Sequence, residues 1–246
     1  DHTFKIYLKY AREMAEVLGA HGILAFAKLF LPEALMILTG GMPKLILLVE
    51  FEGEEEAELL DKVSQLDKLV KKYKLKGRFI KTQLEEEKYW KLRRDTYKLL
   101  REKVKDAYPT AFIDDLIVRP EFLPEFLPKL TKILDDNQVV YTISGHLGDG
   151  NLHIIPLMDI KSDVERQKIM TVRDLVYDLV LEYHGSLSAE HNDGLIRGDY
   201  LEKEFGPEVY AIFKEIKKVF DPQNIFNPHK KTDATLGYSK SKLRSS

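Results

Sequence analysis

The chain has no cysteine. That excludes disulfides, thiolate-bound zinc and iron–sulfur ligation, and it is compatible with a reducing compartment. An excess of one charge is also missing. The 38 Lys and Arg residues stand against 40 Asp and Glu, a net charge of −2, so there is no basic surplus to read as a nucleic-acid partner. Long apolar runs are scarce. The richest, ILAFAKLFLPEALMIL (23–38), is interrupted by Lys28, Pro32 and Glu33, whereas a membrane span needs about 20 apolar residues. The run is read as a buried helix or an amphipathic docking surface. An initiator Met and a signal-peptide layout are lacking as well. We read the chain as a segment of a longer cytoplasmic protein, with peripheral attachment at the inner face of a membrane as the alternative.

What is present is ordinary globular composition: 246 residues, 32% charged and 44% hydrophobic, enough to bury a core. KLILLVEFEG (44–53) reads as a buried strand. EEEAELLDKVSQLDKLVKKY (54–73) reads as a helix, with acids first and lysines last as the helix dipole prefers. KGRFIKTQ reads as a short strand, and EEEKYWKLRRDTYKLLREKVKDAY as a helix. TAFIDDLIV reads as a strand, PEFLPEFLPKLTKILDD as a helix with irregular first turns, and NQVVYTISG and NLHIIPLM as strands flanking a turn. SDVERQKIMTVRDLVYDLVLEYHG is a long amphipathic helix that Gly185 stops. Strands and helices mix without strict alternation. The expected fold is α+β, a largely antiparallel sheet with flanking helices in a duplicated ferredoxin-like arrangement. Residues 1–43 form an N-terminal helical segment, 44–231 the main domain and 232–246 a polar tail.

Of seven histidines, two sit in SGHLGDGNLHIIPL (144–157). A two-residue turn at Asp149-Gly150 would pair His146 with His153 on one face, with Cβ atoms about 5 Å apart. Both rings could then converge on one ion; the plain alternative is a cross-strand pair without a metal. Two ligands bind weakly, so a third is needed. GSLSAEHNDGLIRGDYL (185–201) is a poor core element and a good site loop. Glu190 there would complete a His, His, carboxylate set, and His191 beside it is a candidate general base. The plain reading of this pair is a loop carboxylate and a solvated histidine.

GHLGDGNLH, then SAEH, then YLEKEFGPEVYAIFKEIKKVFDPQNIFNPHKK resemble the C-terminal half of FAD-linked 2-hydroxyacid dehydrogenases, among vanillyl-alcohol-oxidase type flavoproteins. Members include D-lactate dehydrogenase, the glycolate oxidase flavoprotein subunit and D-2-hydroxyglutarate dehydrogenase. The likeness runs from about Leu45 to about Lys231. It implies a substrate, or cap, domain, with His146, His153 and Glu190 as ligands of Zn²⁺, or of Mn²⁺ or Fe²⁺ in some members. It implies His191 as the base near the flavin, and Arg93 or its neighbour Arg94, in WKLRRD, as the grip on a substrate carboxylate. It also implies that Asn227 and the tail meet an FAD-binding domain in cis, to which residues 1–43 would lead. No pyrophosphate loop for FAD stands in this sequence; LTGGMP (38–43) is too short. The segment is therefore expected neither to bind FAD stably nor to turn over a small 2-hydroxy acid alone. The face that normally covers flavin would invite self-association into a homo-oligomer. The electron acceptor is not legible.

Three departures from the family pattern stand out. Asn192 and Asp193 follow the Glu-His pair where members have Gly and an aliphatic residue, which makes Asp193 an alternative ligand. Ile113 stands where members acting on a dicarboxylate carry Lys, which points away from 2-hydroxyglutarate. His229 replaces the Gly of an Asn-Pro-Gly-Lys ending. Two rival readings use the same residues: a freestanding metal-dependent hydrolase with a water nucleophile, and a non-catalytic interaction module.

Overall fold

A computed structural model describes residues 15, 23–41, 43, 45–80, 82–83, 85–87, 89–91 and 107–243. The chain divides into two units, residues 1–99 and 100–246. In the first, helix α1 spans Ile23–Gly40 with Pro32 inside it, and Leu24, Leu31, Leu35 and Leu38 are exposed rather than buried. No helix among the described residues is long and apolar enough to cross a membrane. Helix α2, Glu56–Lys72, follows the sequence reading, with Glu56 and Glu58 in its first turn and Lys71 and Lys72 in its last.

The two strands expected in this unit are corrected. Residues 45–50 and 76–80 carry no ladder, and Leu45, Ile46, Leu47, Leu48 and Val49 are exposed. Strand composition describes fitness for a sheet, and pairing needs a partner edge that composition does not supply. Residues 85–87 and 89–91 are helical as expected. Arg93 and Arg94, one of which was expected to grip a substrate carboxylate, lie outside the described residues.

The second unit is the α+β body. Its strands are β1 (Tyr108–Pro109), β2 (Leu116–Ile117), β3 (Val140–His146) and β4 (Asn151–Met158). All pair antiparallel with β4. β3 runs along one edge of β4, so β1 and β2 share the other, as one strand interrupted in its middle. The described strands make this single four-stranded sheet; the second ferredoxin-like half is not seen among the described residues. Helices α3 (Leu123–Asp136) and α4 (Asp163–Glu182) supply the core. Leu123, Phe126, Leu130 and Leu134 repeat at helical spacing and are buried with Val172, Val176, Tyr177 and Val180 against Leu152, Ile154 and Met158 of β4. Each such side chain contributes about 1.5–3 kcal/mol by leaving water. Alternation along β4 turns His153 away from the Leu152 and Ile154 side.

Helix α4 ends just before Gly185, as expected. His184 takes the left-handed conformation, φ 51°, and the N–H groups of His184 and Gly185 return to Leu181 and Val180, a Schellman ending. Glycine is needed at 185 because a Cβ there would stand 2.3 Å from the Ile117 carbonyl oxygen, where Ile117 and Ser186 bridge. Helix α5 (Leu201–Phe220) follows, kinked at Gly206. The polar tail docks: α6 (Leu236–Ser241) buries Ser239, whose hydroxyl donates to the Leu195 carbonyl at 2.6 Å, and the Tyr210 hydroxyl donates to the Lys231 carbonyl.

Candidate metal and substrate site

The hairpin carrying the two histidines is longer than expected. His146 pairs with Asn151 and Ser144 with His153, so residues 147–150 form the loop. Asp149 does not take the positive φ that a two-residue turn of this type requires, whereas Gly150 does, at 80°. The predicted His146–His153 register is thus corrected by two residues. Both histidines still share a face, as diagonal neighbours, and their ring centroids lie 5.5 Å apart, edge to face.

The loop after α4 reaches the same place because one buried carboxylate gathers it. Between β1 and β2 the chain uses two more residues than β4 does, as the pairings Pro109–Leu157 and Leu116–Leu152 require. The excess makes a turn in which Asp115 takes φ 67°, a conformation Asp tolerates. Its carboxylate accepts from the backbone N–H groups of Ala189 (2.9 Å), Glu190 (3.0 Å) and His191 (2.8 Å) and from the Ser188 hydroxyl (2.8 Å). Asn151 donates to it from the other side at 3.2 Å. Burial alone would raise this carboxyl; the His191 N–H, the Ser188 hydroxyl and the Glu190 and Ala189 N–H groups together hold it below the ordinary range. Behind the loop, Glu204 accepts from the Ser186 hydroxyl and the Leu187 N–H.

Held this way, Glu190 and His191 meet the hairpin histidines. Glu190 Oε1 lies 3.0 Å from His153 Nε2, 3.4 Å from His191 Nε2 and 3.6 Å from His146 Nε2. The rings of His153 and His191 stack, with centroids 4.9 Å apart and planes 14° apart. Asp114, nearly buried, places one carboxylate oxygen 3.1 Å from His153 Nδ1 and the other 3.1 Å from His191 Nδ1. The hydrogen bond to Asp114 raises the His153 imidazole above its ordinary value, burial opposes this, and the charges of Asp114, Glu190 and Asp115 add to the rise. His146, Glu190 and His191 are about half exposed, so the cluster opens on one side.

These distances fit a cation. Two ligand atoms bound to one tetrahedral ion at about 2.1 Å stand about 3.4 Å apart, and the three Nε2–Oε1 separations bracket that value. Three carboxylates also crowd three imidazoles with Arg197 as the nearby buried cation; it donates to the carbonyls of Asp114 and Asn192. Asp115, His153, Glu190 and His191 each offer a donor atom within 4.8 Å of the others, close enough that the group could hold a metal ion. The lone pairs of Asp115 are already filled by the loop N–H groups, so its task is structural. Asp193, weighed as an alternative ligand, pairs instead with Lys231 at 2.7 Å. Asn192, where members have Gly, takes φ 81°, and His229, at the other Gly position, takes φ 61°; both keep the left-handed backbone that Gly would supply. Asn227 is exposed in the loop after α5, with Lys230 3.4 Å from its side-chain oxygen. Asp114 and Asp115 were missed by the sequence reading. Their signal was two adjacent acids in an otherwise apolar strand-like run, TAFIDDLIV.

A family model described as FAD linked oxidases, C-terminal domain, matches residues 40–231. The chain belongs to this family. The FAD-linked oxidase C-terminal domain is 33% identical over 144 residues to D-2-hydroxyglutarate dehydrogenase of Haemophilus influenzae, which covers 58% of this chain and 14% of that protein. It is 34% identical over 120 residues to the mitochondrial D-lactate dehydrogenase [cytochrome] of Arabidopsis thaliana, covering 49% and 21%. It is 32% identical over 127 residues to glycolate oxidase subunit GlcD of Bacillus subtilis, covering 50% and 26%. The chain spans 14% to 26% of the length of these relatives.

Proposed function

We propose that the chain is the substrate domain of an FAD-dependent 2-hydroxyacid dehydrogenase, in which His146, His153 and Glu190 hold a divalent ion and His191 is the base. The convergence of three imidazole Nε2 atoms on one carboxylate oxygen, on the open side of the cluster, carries the reading. Zn²⁺ suits this donor set best, with Mn²⁺ and Fe²⁺ as alternatives. When bound, such an ion supplies Lewis-acid polarisation of the 2-hydroxyl and carboxylate oxygens of a substrate. FAD, held by a domain in cis, supplies the acceptor for the hydride that leaves C2 as the 2-oxo acid forms.

The chain's own residues do the rest. His191, whose Nε2 lies 3.4 Å from Glu190 Oε1, takes the hydroxyl proton. The loop carrying it is held by Asp115, which accepts from the backbone N–H groups of Glu190 and His191 together. Arg93 or Arg94 orients the substrate carboxylate through a two-pronged pair. Position 113 carries Ile, which offers no cation to a second carboxylate, and this argues against 2-hydroxyglutarate as substrate. Membership of an oxidase family favours this reading over a freestanding hydrolase.

The test has two arms. Metal content after purification without chelator is compared with that of the double variant His146→Ala, His153→Ala; equal metal in both refutes the ligand set. In the protein carrying its FAD-binding domain, His191→Gln is expected to keep the metal and slow flavin reduction by substrate about 10²–10⁴-fold in a single turnover. A change within a fewfold removes His191 as the base.

A further inference from the structure

Asp114 is not among the residues that the resemblance brings to this site, yet it touches two of them. Its two carboxylate oxygens each lie 3.1 Å from an Nδ1 atom, one of His153 and one of His191. The side chain is buried, and Arg197 donates to its backbone carbonyl from behind. We infer that Asp114 is a shared positioning residue: one carboxylate fixes the tautomer and ring plane of a proposed metal ligand and of the proposed base together.

The argument is one of donors and acceptors. An ionised carboxylate only accepts hydrogen bonds, so both Nδ1 atoms facing it must carry hydrogen. Each neutral ring then has its lone pair on Nε2, and both Nε2 atoms point toward Glu190 Oε1, at 3.0 and 3.4 Å. Lone pairs facing a carboxylate oxygen at that range repel unless a metal cation or a proton lies between them. A second carboxylate behind each ring is the arrangement that orients ligating histidines and raises their basicity. The same bond gives His191 a partner for its Nδ1–H when Nε2 takes a proton, as in a His–Asp pair. Stacking of the two rings at 14° follows from holding both on one planar group. His146 Nε2 lies farthest of the three from Glu190 Oε1, at 3.6 Å. The inference about metal and base rests on the proposed function; the tautomer inference does not.

The variant that separates roles is Asp114→Asn, equal in volume. An amide has one accepting oxygen and one donating nitrogen. It can therefore keep one ring in the Nδ1–H form and must drive the other to the Nε2–H form, by donating to its Nδ1. The measurement is ¹⁵N NMR of the full 246-residue chain labelled at histidine, without metal and at a pH where the rings are neutral. The expected result is that His153 and His191 are both Nδ1–H in the wild type, only one of them is in Asp114→Asn, and neither is fixed in Asp114→Ala. Affinity for Zn²⁺, from competition with a chelator, is expected to fall about 10–100-fold in both variants. Should Asp114→Ala fail to fold, Asp114→Asn alone decides. Unchanged tautomers in Asp114→Asn overturn the inference. Wild-type protein with two Nδ1–H histidines but no Zn²⁺ binding overturns the proposed ligand set and leaves the tautomer role standing.

Discussion

Replacing Asp115 by Asn tests what holds the site loop. The substitution keeps volume, and Asn tolerates the left-handed backbone at this position, φ 67°, so strain does not confuse the outcome. Four donors at 2.8 to 3.0 Å converge on one oxygen of this carboxylate, three of them backbone N–H groups of consecutive residues. A hydrogen bond to a charged group contributes about 1.5–3 kcal/mol and a neutral one about 0.5–1.5. Keeping the amide oxygen on that side costs about 1 kcal/mol per bond, or about 4 in all, less the relief of no longer burying a charge. A net loss of about 3 kcal/mol is expected. A domain of this size is stable by about 5–15 kcal/mol, so it stays folded and the loss falls on residues 188–191 as local opening. Hydrogen exchange at the amides of 189, 190 and 191 should speed up about 10²-fold, since 1.36 kcal/mol is a factor of ten. The amides of Val176 and Val180 in α4 report global opening and serve as the control. If 189–191 stay within threefold of wild type, the carboxylate is not the clamp. The same group makes the loop acid-sensitive. Its folded value lies below the ordinary one, so its contribution is complete above the unfolded value, about 3.9, and is lost as pH falls through the folded value.

Two further outcomes are expected. Gly150→Ala should destabilise by about 3 kcal/mol in urea denaturation, because its Cβ would stand 1.7 Å from the Val118 carbonyl oxygen at φ +80°; a change under 1 kcal/mol would show that the hairpin loop relaxes freely. Glu204 is raised chiefly by burial, against hydrogen bonds from Ser186 and Leu187 that lower it. An acid raised on folding loses stability as pH climbs from its unfolded value, about 4.3, to its folded one. Glu204→Gln should therefore flatten that part of the stability–pH curve, and an unchanged slope between pH 4 and 7 contradicts the assignment.

The elements nearest the site were legible because their signals are local. The helical run of α3, the β3 and β4 runs and the amphipathic run of α4 each lie within one segment, and the structure places them there. Residues 45–50 carried an equally good strand signal and form no ladder, because an edge to pair with is not a local property. The hairpin was legible but its register was not. Asp149-Gly150 marks a turn, while the loop length depends on which pairing lets Gly150 pass beside the Val118 carbonyl and lets β4 pair with β2.

By itself, the sequence determined the chemistry on offer: no thiols, two histidines around a glycine-rich turn, a Glu-His pair in a loop of small residues, and motifs of a flavin-linked family. It also determined the helices and strands that deliver them. Only the tertiary structure decided that Asp114, 39 residues from His153 and 77 from His191, faces both rings. It likewise decided that Asp115 gathers the loop N–H groups, that Asp193 turns to Lys231 and that the polar tail docks. The physical reason is one of range. Periodicity, caps and turn residues act within a few positions, whereas a buried N–H or carboxylate must find its partner wherever packing brings one, and no spacing along the chain encodes that choice.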